Sequence, residues 1–160
     1  MNIRSLTPED IPWVEAVVTE HFGSPRVVSR GVLHDSRVLP GLVAEEAAGR
    51  TGLLQYRIDG EQCEVVILIA LKPRQGVGRA LLRAAEELAK AAACCRMWLV
   101  TTDNNAGAQA FYRAVGWAQA AVHHDAVTAA RKLKPEIPHL DEGGRPIRDE
   151  IEFERSLLGS

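Results

Sequence analysis

The most specific chemical pattern in the chain is a run of five residues, Arg74-Gln75-Gly76-Val77-Gly78. It follows an apolar stretch, Val65 to Leu71, and opens a segment whose apolar residues recur at helical spacing. Where a strand turns tightly into a helix, the first backbone N–H groups of the helix have no intrahelical acceptors, and the positive end of the helix dipole adds to them. Such a terminus is a phosphate site. Glycines at 76 and 78 remove side chains that would hold an anion away, and Arg74 and Arg79 supply charge-assisted donors. Residue types exclude two other phosphate loops. The nucleoside-triphosphate loop needs Gly-Lys-Ser/Thr, but Gly78 is followed by Arg79 and Ala80. The dinucleotide fingerprint needs a third small residue where Leu81 stands.

The other chemistry-bearing residues read more plainly. His123-His124-Asp125 invites a metal, but adjacent strand residues point to opposite faces, so the two histidines would not share one ion. A cap or turn role for His124 and Asp125 is the simpler expectation, and no metal site is expected. Cys63, Cys94 and Cys95 have no zinc-ligand spacing and read as small buried apolar residues. His21, His34 and His139 are isolated.

The elements that position these residues can be traced along the chain. Its 160 residues, 46% apolar and 25% charged, suit a single domain over 1–160 with its own core. Net charge is -2 with the signs interleaved, which argues against a nucleic-acid partner. No run approaches the ~18 apolar residues of a membrane span, and the first residues lack a signal peptide's apolar stretch, so a cytoplasmic protein is expected. Residues 2–6 read as a strand, and Thr7-Pro8-Glu9-Asp10 starts a helix that closes at Phe22-Gly23. Residues 24–37 are expected to form a loop with a short helix around Val27 to His34. Strands follow at Leu42–Glu46, Gly52–Ile58 and Cys63–Leu71, separated by Ala48-Gly49-Arg50 and Asp59-Gly60, so an antiparallel meander is predicted. The third strand is continuously apolar from Val65 and is expected to be central and covered on both faces. A long helix from the glycine turn, a strand at Met97–Thr101, a helix at Asn105–Val115 stopped by Gly116, and a strand at Trp117–Val122 come next. The last stretch, 123–160, reads as a helix over Asp125–Lys134, a Pro- and Gly-rich loop, and a strand at Ile147–Phe153.

With those elements in place, Ile69-Ala70-Leu71 and Pro73 to Leu82 resemble the pyrophosphate loop of the GNAT superfamily of N-acetyltransferases. Further on, Asn105-x-x-Ala108-x-x-Phe111-Tyr112, then Gly116-Trp117, resembles that family's second signature. The order and separation of the two agree with the family, and the resemblance covers roughly residues 1–122. One slot departs: Pro73 stands where the family's loop usually begins with Gln or Arg. The implied fold class is α/β (of α+β type), a mixed and mostly antiparallel central sheet with splayed strands, flanked by helices.

The resemblance also implies roles. Acetyl-CoA is the expected cosubstrate, its pantetheine arm on the backbone of Ile69, Ala70 and Leu71. Its pyrophosphate would lie on Pro73, Arg74, Gln75, Gly76, Val77, Gly78 and Arg79, with Asn105 on the same arm. Asn105 reads equally as a helix N-cap. Tyr112 is the implied acid toward the departing thiolate, a packing aromatic beside Phe111 being the alternative. Glu64 is the candidate base, a solvated strand-end carboxylate being the alternative, and Glu20, Glu45 and Glu46 are weaker competitors. The expected acceptor is a primary amine of a small molecule, amino acid or peptide. Arg26, Arg30 and Arg37 would favour an acidic acceptor and Glu45, Glu46 and Glu64 a cationic one, so sequence leaves the choice open. The segment 123–146 either covers the acceptor site or pairs across a homodimer. The alternative function is a CoA- or acyl-CoA-binding module that does not transfer.

Overall fold

A computed structural model describes residues 1–72 and 74–158. After strand β1 (Asn2–Ser5), Pro8 opens a single 3-10 turn over Pro8–Asp10 that runs into helix α1 (Ile11–Phe22). Asp10 organises this corner. Its carboxylate is 1% exposed and accepts two bonds from Arg4 at 2.8 Å, one from Arg50 at 3.0 Å and one from the Thr7 backbone N–H at 2.8 Å. The Arg4 guanidinium holds that carboxyl well below the usual carboxylate range. Gly23 ends α1 at φ +79°, a backbone region that favours glycine.

The segment expected to be a short helix is instead a hairpin, β2 (Arg26–Ser29) with β3 (Val32–Asp35). Arg30 and Gly31 link them at φ +48° and +76°. Two consecutive positive φ values twist a two-residue turn to match the flanking strands, and valines at 27, 28 and 32 favour the extended backbone.

Strands β4 (Gly41–Glu46), β5 (Gly49–Asp59) and β6 (Gln62–Ala70) form the predicted meander. With β7 (Arg96–Thr102), β8 (Ala118–His123) and β9 (Glu150–Ser156) they build a seven-stranded sheet ordered β1-β4-β5-β6-β7-β9-β8. The pair β6–β7 is parallel and the others are antiparallel. Helix α2 (Val77–Ala91) crosses one face. Gly52 on β5 allows that approach, because a Cβ there would stand 2.5 Å from Val77 Cγ1 and 3.0 Å from Leu81 Cδ1. Helix α3 (Ala106–Ala114) packs beside it, and α4 (Ala126–Ala130) is shorter than the 125–134 expected. The final strand begins at Glu150 rather than Ile147.

Two cores result. One, under α2 and α3, contains Leu54, Val65, Leu81, Met97 and Phe153; the other, under α1, contains Val14, Val18, Leu53, Ile67 and Ile69. Strict alternation would put Val65, Ile67 and Ile69 on one face. A register shift opposite Gln55/Tyr56 leaves Val66 without a Cα partner on β5, so the strand changes face there. That bulge is how the apolar run of β6 feeds both cores. Among the described residues, no helix is long and apolar enough to cross a membrane.

Candidate active site

The ladder between β6 and β7 runs from Gln62↔Arg96 to Glu64↔Trp98 and stops. Beyond it the strands diverge, and a cleft of about 650 Å³ opens between them. Its lining comes from both layers: Asn105, Ala108 and Tyr112 of the α3 side, and Val27, Val28 and Ser29 of the hairpin on the other. Val65, Val66 and Leu68 of β6 and Leu99 to Thr102 of β7 form the split walls. Backbone groups of β6 that face the divergence have no strand to pair with, and an extended amide ligand can take that place.

The strand leaves the cleft after Leu68 and runs to the glycine turn. Ile69 is buried toward α1, Ala70 and Leu71 are exposed, and Leu71 N–H donates to Thr51 O at 2.9 Å. Arg74 and Gly76 lie at φ +65° and +77°, with Arg74, Gln75 and Gly76 exposed. No side chain caps α2, so its first N–H groups stay available to an anion. Val77 and Gly78 are buried and Arg79 is exposed. Gly78 answers a packing need as well: a Cβ there would stand 3.2 Å from Phe111 Cζ, so the two signature segments touch at this point. Pro73 lies outside the described residues.

Asn105 is a helix N-cap on the cleft wall. Its Oδ1 accepts from Ala108 N–H at 3.1 Å as the N-cap of α3, and the residue lines the cleft. Tyr112 lies 9% exposed among Phe111, Trp117 and Phe153, ring centroids 5.4 to 6.2 Å away. Burial pushes its phenol up to about 12, so the O–H is intact at any working pH. Gly116 follows at φ +95° and turns the chain into β8.

Glu64 is 3% exposed, and its Oε2 accepts a 2.5 Å bond from Ser29 Oγ. Burial raises its pKa above the ordinary value, against the Ser29 hydroxyl and Arg57, while Glu150 and Glu152 push the same way as burial. Ser29 lines the main cleft; Glu64 sits behind it, lining a smaller pocket with Arg57 and Trp98. The adjacent residue Arg30 donates to Glu150 Oε1 at 3.1 Å, and Glu150 also lines the cleft. Lys134 fastens the end of α1 and the start of β2, its Nζ donating to Phe22 O at 2.8 Å and Arg26 O at 2.9 Å.

Of the residues at and behind the cleft, Tyr112, Glu64 and Asn105 are candidates from the sequence, whereas Ser29, Glu150 and Lys134 are not. The Arg30-Gly31 dipeptide between valine-rich runs was the available signal for the hairpin that carries Ser29. Nothing local marks Glu150 or Lys134, whose partners lie more than 100 residues away. The weaker base candidates stand apart: Glu45 pairs with Arg4, and neither Glu20 nor Glu46 lines the cleft. His123 and His124 take different carboxylates, Glu152 at 2.9 Å and Asp149 at 3.4 Å. Cys63 and Cys94 are buried as expected, whereas Cys95 is half-exposed with its thiol toward Glu61.

Comparison with known proteins agrees with this geometry. Residues 30–117 match the model of the acetyltransferase (GNAT) family. The Bacillus subtilis (strain 168) protein YdhI is 43% identical over 140 residues, 86% of this chain and 87% of its own length. The chain therefore belongs to the GNAT acetyltransferase family. Its fold is that of the ribosomal-protein-S18-alanine N-acetyltransferase from Escherichia coli, with TM-score 0.70 at 15% identity, covering 99% of this chain and 95% of that one. A GNAT family acetyltransferase from Elizabethkingia anophelis, solved with acetyl-CoA bound, superposes with TM-score 0.67 at 16% identity over 97% of each chain.

Proposed function

We propose that this chain is an N-acetyltransferase that uses acetyl-CoA to acetylate a primary amine. The observation that carries the reading is the single cleft at the β6–β7 divergence. It brings Tyr112 from the α3 side and Ser29, backed by Glu64, from the hairpin side into one space. The fit to CoA rests on three features: the uncapped α2 terminus for the pyrophosphate, the unpaired edge of β6 for the pantetheine amides, and Asn105 on the cleft wall. Arg74 and Arg79 add positive charge at that terminus, with Gln75, Gly76, Val77 and Gly78 supplying backbone.

Bound acetyl-CoA supplies an acetyl group activated as a thioester. The chain's own residues handle the protons. An amine enters as an ammonium ion and must lose a proton before its lone pair can react. Ser29 Oγ accepts that proton while passing its own to the Glu64 carboxylate, whose raised pKa makes it a better base than a solvated glutamate. Tyr112 offers its phenol O–H to the departing sulfur. Free thiols at Cys63, Cys94 and Cys95 suit a reducing, cytoplasmic compartment.

Thiol release from acetyl-CoA across a panel of amines tests the reading. Turnover that falls at least tenfold in Tyr112→Phe is the expected result. A second reading, a CoA holder that does not transfer, draws on one observation: Glu64 lies behind Ser29 rather than on the cleft wall. Tight CoA binding with no turnover of any amine would establish that second reading.

A further inference from the structure

We infer that the acceptor is a small primary amine with a compact apolar body and no carboxylate beside its nitrogen, drawn in as a cation by Glu150. The inference rests on the reading of the cleft as the acyl-transfer site. Among the described residues that line the cleft, the ionisable side chains besides Tyr112 are His21, Lys134, Glu136 and Glu150. None is an arginine, the residue suited to grip a carboxylate with two parallel bonds.

Lys134 is the lysine of the lining, and it is committed. Its side chain is buried, and its ammonium donates to two backbone carbonyls. The arginines that left the acceptor's charge open in the sequence are also occupied. Arg26 and Arg37 both face Asp35, and Arg30 pairs with Glu150. An amino acid would therefore bring its carboxylate into a cleft whose described lining holds no arginine and no lysine beyond the committed Lys134.

The acidic side is different. Glu64 and Glu150 are both buried, and they are held by consecutive hairpin residues, Ser29 and Arg30. Glu150 raises the pKa of Glu64, so the two carboxylates share one field. Glu150 is paired with Arg30 but a carboxylate has further lone pairs, so an ammonium ion entering between the cleft walls shares Glu150 with Arg30, and the Ser29–Glu64 pair then removes one of its protons. Apolar side chains such as Val27, Val127, Ala130 and Ile147 form part of the remaining wall and fit an alkyl or aryl body.

Matched pairs that differ by one carboxylate test this on the full chain with saturating acetyl-CoA. Phenethylamine is compared with phenylalanine, and isoamylamine with leucine; the dipeptide Leu-Gly represents a peptide N-terminus. The expected kcat/KM is at least 100-fold higher for each amine than for its amino acid or the dipeptide. Glu150→Gln should raise KM for the amines at least tenfold while KM for acetyl-CoA stays within twofold. Should that variant fail to fold, Arg30→Ala provides the complement, lowering the amine KM at least threefold by freeing Glu150. Equal or better turnover of an amino acid or the dipeptide overturns the inference. Calorimetry of the same compounds on CoA-loaded protein separates the two levels. Amine binding without turnover upholds this acceptor class and sinks the transfer reading, whereas an amino acid binding as tightly as its amine, or no amine binding at all, overturns the acceptor class.

Discussion

Replacing Glu64 by glutamine removes a base while keeping the shape and a hydrogen-bond acceptor for Ser29. General-base catalysis contributes roughly 10²- to 10⁴-fold. Glu64 acts through the Ser29 hydroxyl, and water in the cleft can carry part of the proton transfer, so the loss belongs at the lower end. We expect kcat/KM to fall about 100-fold, or about 2.7 kcal/mol of barrier. Ser29→Ala interrupts the same path at a point a water can fill, and about tenfold is expected. Because both residues lie on one path, the double variant should be no slower than Glu64→Gln alone. The pH profile adds a signature. Wild-type kcat/KM should rise along a limb above the ordinary carboxylate range, because burial raises the Glu64 pKa, and Glu64→Gln should lack that limb. Stability supplies the control. A buried carboxyl with a raised pKa favours the folded state when protonated. Its contribution is full below the ordinary value of about 4.3 and is lost as pH rises through the folded value. The uncharged amide escapes that loss, so Glu64→Gln should melt no lower than wild type at pH 8. Refutation would be a stable Glu64→Gln protein that keeps more than half its activity, or single-variant losses that multiply in the double variant.

Tyr112→Phe keeps all three ring contacts and removes one O–H, so kcat should fall at least tenfold with the melting temperature within 2–3 °C, roughly 1 kcal/mol for a domain of this size. The wild-type rate should show no alkaline fall assignable to the phenol below about pH 10, given its displacement to about 12. Gly78→Ala places a Cβ 3.2 Å from Phe111 Cζ, so the Phe111 ring beside the glycine turn must give way by a few tenths of an ångström, and KM for acetyl-CoA should rise at least threefold while the acceptor KM is little changed. Asp10→Asn breaks a buried ion cluster. Loss of a buried pair costs about 3–5 kcal/mol, but Arg4 and Arg50 are each about a third exposed and can turn to water, so about 2 kcal/mol is expected, a melting temperature lower by about 4–8 °C. Since the Asp10 carboxyl is held below its ordinary value, its stabilisation is present above about pH 4 and lost in more acid solution, and the asparagine variant should lack that loss.

Strand and helix order from β4 onward was legible because the determining signals are local. The glycine pairs, the apolar run of β6 and the helical spacing after Gly78 each act within a few residues. The family resemblance added what spacing alone could not, linking the turn to the Asn105–Trp117 segment. On the hairpin side of the cleft local signals mislead. Residues 26–35 form a hairpin where a loop with a short helix is expected, and 126–130 form a single short helix followed by turns. There the structure depends on distant partners: Ser29 on Glu64, Arg30 on Glu150, Lys134 on Phe22 and Arg26.

The division has a physical basis. By itself the sequence determined the glycine turn at the start of α2 and the placement of Tyr112 on its helix, because a helix terminus and a 3.6-residue period are properties of adjacent residues. Tertiary structure alone decided where β6 and β7 part, that Val66 bulges so one strand serves two cores, and that Glu64 lies buried behind a serine rather than solvated at a strand end. It also decided the pairing of charges at the cleft. Arginines and glutamates balance in composition, and which of them meet there depends on contacts between residues as many as 120 positions apart.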